Sequence, residues 1–229
     1  MQSNGKVHGN GNGAQLLEIG SLANPQIQDF INLHEGRSPG FSADRLQAII
    51  SMLLAELGFD VRSEHFRDTP KRVARFYREF TRGYWVNPAE ILKTFVSSNR
   101  ELIVLSDVEF FSLCPHHLLI YGGKIHFGYI PDGRIVGISK IPRLIQAYAA
   151  RAVVQEDLVA DIADAFMSVV KPLGCAVKAI GKHDCVAARG VRCPEATMTT
   201  VALRGIFSED PKYAQNFYQG IAPTGDCVC

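Results

Sequence analysis

The apolar pattern along this chain changes period four times, and each change marks a switch between helix and strand. Leu46, Ile49, Ile50, Leu53, Leu54 and Leu57 recur at helical spacing, with Ser42 as a cap, Asp44 in the first turn and Gly58 as a stop. Asp68-Thr69-Pro70 signals a second helix, with Thr69 as cap and Pro70 at its first position. Val73, Phe76, Tyr77 and Phe80 form its apolar side, and Asn87-Pro88 repeats the start signal for a shorter helix. From about Glu101 the pattern becomes strand-like: Leu102 to Leu105, Val108 to Leu113, and Leu118 to Ile130. Gly122-Gly123 inside the last run predicts a bulge or a close backbone approach. Pro131-Asp132-Gly133 reads as a turn, with Arg134 to Ile138 as the return strand of a hairpin. Helical spacing returns over Pro142 to Arg151 and Glu156 to Val170, ending at Pro172 and Gly174. Cys175 to Ile180 and Val186 to Val191 then read as a strand pair, Thr197 to Phe207 as a further strand, and Asp210 to Gln219 as a closing helix.

Strands, then helices, then strands specify an α+β domain: an antiparallel sheet with two helices on one face, preceded by a helical segment. An open sheet of this kind has two unprotected edges, and symmetric self-assembly is a natural way to cover them. Met1 to about Gly13 is rich in Gly, Asn and Ser and reads as a disordered tail. The expected organisation is a flexible extension over 1–40, a helical segment over 41–99 and a sheet-bearing domain over 100–229.

Charge narrows the function class. Lys+Arg 24 against Asp+Glu 23 leaves no global field to recruit nucleic acid or an anionic membrane. No apolar run approaches the roughly twenty residues that span a bilayer. The six cysteines come without a secretory leader, in a chain long enough for a core, so a reduced cytoplasmic protein is expected. Cys175 sits in an apolar run as a core residue, Cys193 in a loop, and Cys227 and Cys229 at the chain end.

Two short polar interruptions carry the candidate chemistry. Cys114-Pro115-His116-His117 follows one strand, and His183-Asp184-Cys185 follows another about seventy residues later. Cys114, His117 and Cys185 would make a three-ligand catalytic zinc site with an open position. His116 and His183 would remain beside it to move protons near neutral pH. Spacing alone leaves the alternative open, because a buried cysteine and a satisfied core histidine produce the same residues.

Asp68-Thr69-Pro70-Lys71-Arg72-Val73-Ala74, Cys114-x-His116-His117-Leu118, Gly123-Lys124-x-His126, Gly128-Tyr129-Ile130-Pro131, Gly137-Ile138-Ser139-Lys140, Val154-Gln155-Glu156, His183-x-Cys185 and Arg189-Gly190-Val191 appear in this order. Together they resemble GTP cyclohydrolase I of the zinc-dependent class, over about Ser42 to Phe207. The resemblance implies a tunnelling fold, in which sheets of several subunits close into a barrel, and a homodecamer with active sites shared between subunits. It implies opening of the guanine imidazole ring of GTP at C8, release of formate and closure to 7,8-dihydroneopterin triphosphate, the first step toward tetrahydrofolate and other pterins.

By residue, the resemblance implies Zn2+ on Cys114, His117 and Cys185, and proton transfer by His116 and His183. Glu156 and Gln155 match the guanine-reading positions. A carboxylate accepts from both N1–H and the 2-amino group, a pairing that adenine cannot offer. Ser139, Lys140, Arg143, Arg189, Arg72 and Arg75 match the ribose and triphosphate contacts, where guanidinium groups offer bidentate bonds to phosphate. Glu156 has a second reading as an acidic residue favoured in a first helical turn, and Arg72 with Arg75 as a solvated helix face. Pro115 replaces the family's usual Glu, which stiffens the loop and removes an acid; Ile120 and the run Arg192 to Ala196 also depart from the pattern. Those departures keep a second class in play, a silent or regulatory homologue that binds a purine or pterin without turnover. A related tunnelling-fold enzyme acting on a pterin or deazapurine fits less well, since those relatives use other ligands or none.

Overall fold

The computed structural model describes residues 42–221. The expectations for the N-terminal extension and for Cys227 and Cys229 lie outside the described residues.

Helix α1, Ala43–Glu56, lays Ile50 and Leu54 against Ala74 of α2, Thr69–Thr81, with Leu46, Val61, Phe66 and Val73 around them. Ile49, Leu53 and Leu57 belong to the same apolar stripe, yet they remain 42%, 55% and 61% exposed. Asp68 rather than Thr69 occupies the cap of α2 and makes no side-chain capping bond; the Thr69 hydroxyl donates instead to the His65 carbonyl at 3.4 Å. A 3-10 turn, Arg82–Trp85, leads to the short helix α3, Pro88–Ile91. Asn87 caps α3 as its sequence predicts, accepting from the Ala89 N–H at 3.0 Å.

The main sheet is fully antiparallel, in the order β2-β3-β5-β6. Its strands are β2 Ile103–Leu113, β3 Ile120–Ile130, β5 Gly174–His183 and β6 Met198–Gly205. Two strand expectations need correcting. The segment Arg134–Val136, β4, does not return along β3 but pairs with β1, Thr94–Val96, a strand the sequence reading missed. A strand has two hydrogen-bonding edges, and both edges of β3 are already filled by β2 and β5. Val186 to Val191 is not a strand either. Asp184–Ala187 forms the one-turn helix α6, and Gly190 and Arg192 at φ +61° and +49° break any extended run. The second edge of β5 goes to β6.

The long helices α4, Lys140–Ala149, and α5, Gln155–Val170, cover one face of the sheet, as expected. Phe166 of α5 meets Phe127 and Tyr129 of β3 edge-on, with centroids 4.7 and 5.0 Å apart. Burying one such ring is worth about 1.5–3 kcal/mol. Alternate residues point to the opposite face, where α7, Ile206–Glu209, and the closing helix α8, Pro211–Gly220, pack Phe207 and Phe217 on Ile130 and Ala176. That second layer covers one end of the sheet only. At the other end Glu109, Phe111, Lys124 and Lys182 stay exposed.

Gly122 and Gly123 answer to close approach, not to a bulge. A Cβ at Gly123 would lie 2.0 Å from the Ile180 carbonyl oxygen, and one at Gly122 would lie 2.6 Å from that of Phe110. The bulge falls instead between Leu105 and Val108, where Asp107 takes φ +58°.

Candidate metal and catalytic centre

Strand register gathers the two polar interruptions at one end of the sheet. Leu113, the last residue of β2, pairs with Ile120, the first of β3; the next residue, Tyr121, pairs with His183, the last of β5. Cys114 and Cys185 follow the two outer strand ends and therefore meet. The loop between β2 and β3 is tight: the Cys114 carbonyl accepts from the Leu118 and His117 N–H groups at 2.8 and 3.4 Å, and the Cys114 N–H donates to the Leu119 carbonyl at 2.9 Å. Pro115 sits second in that turn, where its fixed φ suits the geometry and no donor is required. Leu118 takes φ +53° to close the loop.

The ligand atoms of Cys114, His117 and Cys185 all lie within 4.8 Å of one another. Cys114 Sγ stands 3.7 Å from His117 Nδ1. Bonds of about 2.3 Å to sulfur and 2.0 Å to nitrogen in a tetrahedron separate two such atoms by about 3.5 Å, so this donor set fits zinc. Cys114 is buried, Cys185 half-buried and His117 exposed, which leaves one side of the set open. His116 Nδ1 lies 3.8 Å from Cys114 Sγ on the same loop. Burial and the neighbouring Cys114 thiol push the Cys185 thiol up from its ordinary value, against the positive charge of Arg189.

His183 is held more firmly than the other two histidines. Its ring stacks on Tyr121, 4.5 Å between centroids and 2° from parallel, and its Nε2 lies 3.1 Å from Gln155 Oε1. Burial lowers its pKa from the ordinary value, opposed by the charge of Glu156. Gln155 and Glu156 reach this end of the sheet because the Val153 N–H donates to the Leu113 carbonyl at 3.1 Å, fixing the start of α5 beside the end of β2.

The remaining candidates divide into those near this centre and those elsewhere. Glu156 is exposed in the first turn of α5, next to His183. Gln155 differs from its expected place: it is fully buried, and its amide is committed to protein partners. Arg189 is exposed in the turn after α6. Ser139 caps α4 without spending its hydroxyl on a capping bond, and Lys140 and Arg143 follow in the first turn of that helix. Arg72 and Arg75 are exposed on α2, where Arg72 lies 3.6 Å from Asp68. Sequence reasoning missed Tyr121 altogether. Its only signal was an aromatic residue on the core-facing phase of β3, and that phase does not reveal which residue of β5 lies opposite.

Residues 46–222 match the family model for GTP cyclohydrolase I, about three quarters of the chain and both halves of the centre. The chain belongs to the GTP cyclohydrolase I family. It is 43% identical to "GTP cyclohydrolase 1" of Mycolicibacterium gilvum over 176 residues, covering 76% of this chain and 87% of that protein. It is 39% identical to the protein of the same name from Chlorobium chlorochromatii, covering 78% of this chain and 81% of the other. For the protein of that name from Dehalococcoides mccartyi the figures are 38%, 81% and 100%. A solved structure described as archaeosine synthase QueF-Like in the apo form aligns at TM-score 0.37 and 21% identity, over 45% of this chain and 93% of that one. The GTP cyclohydrolase I match begins inside α1 and ends just past α8, so it includes the helical segment as well as the sheet.

Proposed function

We propose that this chain is a zinc-dependent GTP cyclohydrolase I that converts GTP and water to 7,8-dihydroneopterin triphosphate and formate, at the head of tetrahydrofolate and pterin synthesis in the cytoplasm. The observation that carries the reading is the convergence of Cys114, His117 and Cys185 beside His183, in a chain of this family. Zinc on those three residues supplies the Lewis acidity that makes water a nucleophile near neutral pH. The chain's own residues do the rest.

Glu156, exposed at the start of α5, accepts from guanine N1–H and the 2-amino group and so turns C8 toward the histidines. In two hydrolytic stages water adds at C8 so that the bond from C8 to N9 breaks, and a second water cleaves the resulting formamide to release formate. The freed ribosylamine then isomerises to a 1-amino-2-ketose whose carbonyl condenses with N7, expelling one water as the pterin ring closes. Both hydrolytic stages need a proton removed from oxygen and one delivered to nitrogen, the work of His116 and His183. Lys140, Arg143, Arg189, Arg72 and Arg75, with Ser139, meet the ribose and triphosphate. Arg72 and Arg75 lie on α2, and a site shared between subunits of a homo-oligomer, a decamer in this reading, gives them a role.

Incubating the zinc-loaded protein with GTP tests the proposal. Equimolar formate and a fluorescent oxidised pterin are expected, with binding lost in Glu156→Gln because a donor then faces the guanine donors. Binding of GTP without formate would replace the enzyme reading with that of a binding protein.

A further inference from the structure

We infer that Gln155 and Tyr121 are positioning residues that hold His183 as its Nε2–H tautomer, leaving Nδ1 as the ring's proton acceptor. The inference rests on the catalytic reading of His183 above. What decides it is the amide of Gln155, which is fully buried. One end of that amide faces the carbonyl oxygens of Met198 and Ala179, at 3.0 and 3.4 Å, and the Thr200 hydroxyl at 3.1 Å. Carbonyl oxygens only accept, so this end must be the NH2 group. The other end is then Oε1, which also only accepts, and it faces His183 Nε2 at 3.1 Å. Nε2 must therefore carry the proton, and in the neutral ring the lone pair is on Nδ1. Among the described residues no further hydrogen bond engages the His183 ring.

The ring plane is fixed by a second, independent contact. Tyr121 is 1% exposed, so the packing around it keeps its ring from turning freely, and its hydroxyl donates to the Val153 carbonyl at 2.8 Å. His183 lies 2° from parallel to it at 4.5 Å. One partner thus sets the plane of the imidazole and the other sets its proton. Gly181 completes the arrangement, since a Cβ there would lie 2.4 Å from Gln155 Oε1. The physical gain is a single population. A free neutral imidazole divides between two tautomers, and only one has its lone pair on the nitrogen used for proton abstraction.

Solid-state 15N spectra of zinc-loaded, histidine-labelled protein without GTP read the tautomer directly, with the His183 signals identified by difference from His183→Asn. The expected result is Nε2 protonated and Nδ1 unprotonated in the neutral ring. Gln155→Met removes the acceptor, and the spectrum should then show both tautomers. In the same variant kcat should fall about 10- to 100-fold, with KM for GTP within about threefold and zinc content unchanged. Tyr121→Phe keeps the stacked ring and should stay within about threefold of the parent in kcat, whereas Tyr121→Leu should lose about tenfold or more. A protonated Nδ1 in the parent overturns the inference. So does Gln155→Met with an unchanged tautomer and undiminished kcat. If Gln155→Met does not fold, the parent spectrum still decides. Because that spectrum needs no turnover, failure of the cyclohydrolase reading and failure of this inference are separately visible.

Discussion

In the proposed zinc site Cys185 would supply a donor that serine cannot imitate near neutral pH, because an alkoxide is far less available than a thiolate. Cys185→Ser is therefore expected to hold well under half a zinc per subunit by elemental analysis, against one in the parent. Full occupancy in that variant would remove Cys185 from the ligand set. Gly181 offers a different single-residue test. The oxygen that an added methyl would strike belongs to an amide anchored at its far end by the Met198 carbonyl and Thr200. The neighbour cannot swing away without breaking those bonds, so Gly181→Ala should cost about 1–3 kcal/mol in urea unfolding. A cost near zero would mean that Gln155 is loosely held.

At the scale of elements, the bulge between β2 and β3 predicts a pH dependence. His126 is buried on β3, and its Nδ1 accepts from the Asp107 N–H at 3.3 Å, at the residue that takes φ +58°. Burial lowers the His126 pKa from 6.5, the positive charges of Lys178 and Lys124 push the same way, and the Asp107 carboxylate opposes them. The folded state thus binds its proton less readily than the unfolded chain. The stabilising contribution is complete above about 6.5 and is lost as pH falls through the depressed folded value. His126→Gln, which keeps an acceptor without a titration, should lose less stability between pH 7 and pH 5 than the parent in denaturant melts. Identical losses would show that His126 does not titrate with folding. The helices α1, α2, α3, α4, α5 and α8 were legible from their periodicity and start signals, as the Asn87 cap of α3 illustrates, although Asp68 and not Thr69 caps α2. The pairing of β4 with β1 was not, because a three-residue strand carries too little pattern to name its partner.

At the scale of the whole molecule, the described residues leave surface that a lone subunit would not be expected to leave. The outer edges of β2 and β6 pair with no strand among the described residues. Along α1 and just past its end, Ile49, Met52, Leu53 and Leu57 present an exposed apolar row. Open edges and apolar helix faces both favour association, and copies of the same chain supply complementary ones. Light scattering at micromolar concentration is expected to give a mass many times 25.2 kDa. A stable, active monomer would sink both the assembly and the sharing of active sites between subunits. No helix among the described residues is long and apolar enough to cross a membrane.

The sequence by itself determined the α+β class, the positions of the long helices and the family, because periodicity, caps and short motifs are local properties of the chain. It also brought Cys114, His117 and Cys185 forward as candidate ligands, through their interruption of apolar strands and the family motifs around them, while spacing alone left core roles open. Only the tertiary structure decided what lies opposite what. Register brought Tyr121 against His183, and the packing of α5 turned Gln155 inward while Glu156, one residue later, stayed exposed. Adjacent residues on a helix point about 100° apart, so neighbours in sequence can face the core and the solvent. Which of the two faces the core depends on the sheet that the helix covers, and that sheet is assembled from strands up to a hundred residues apart.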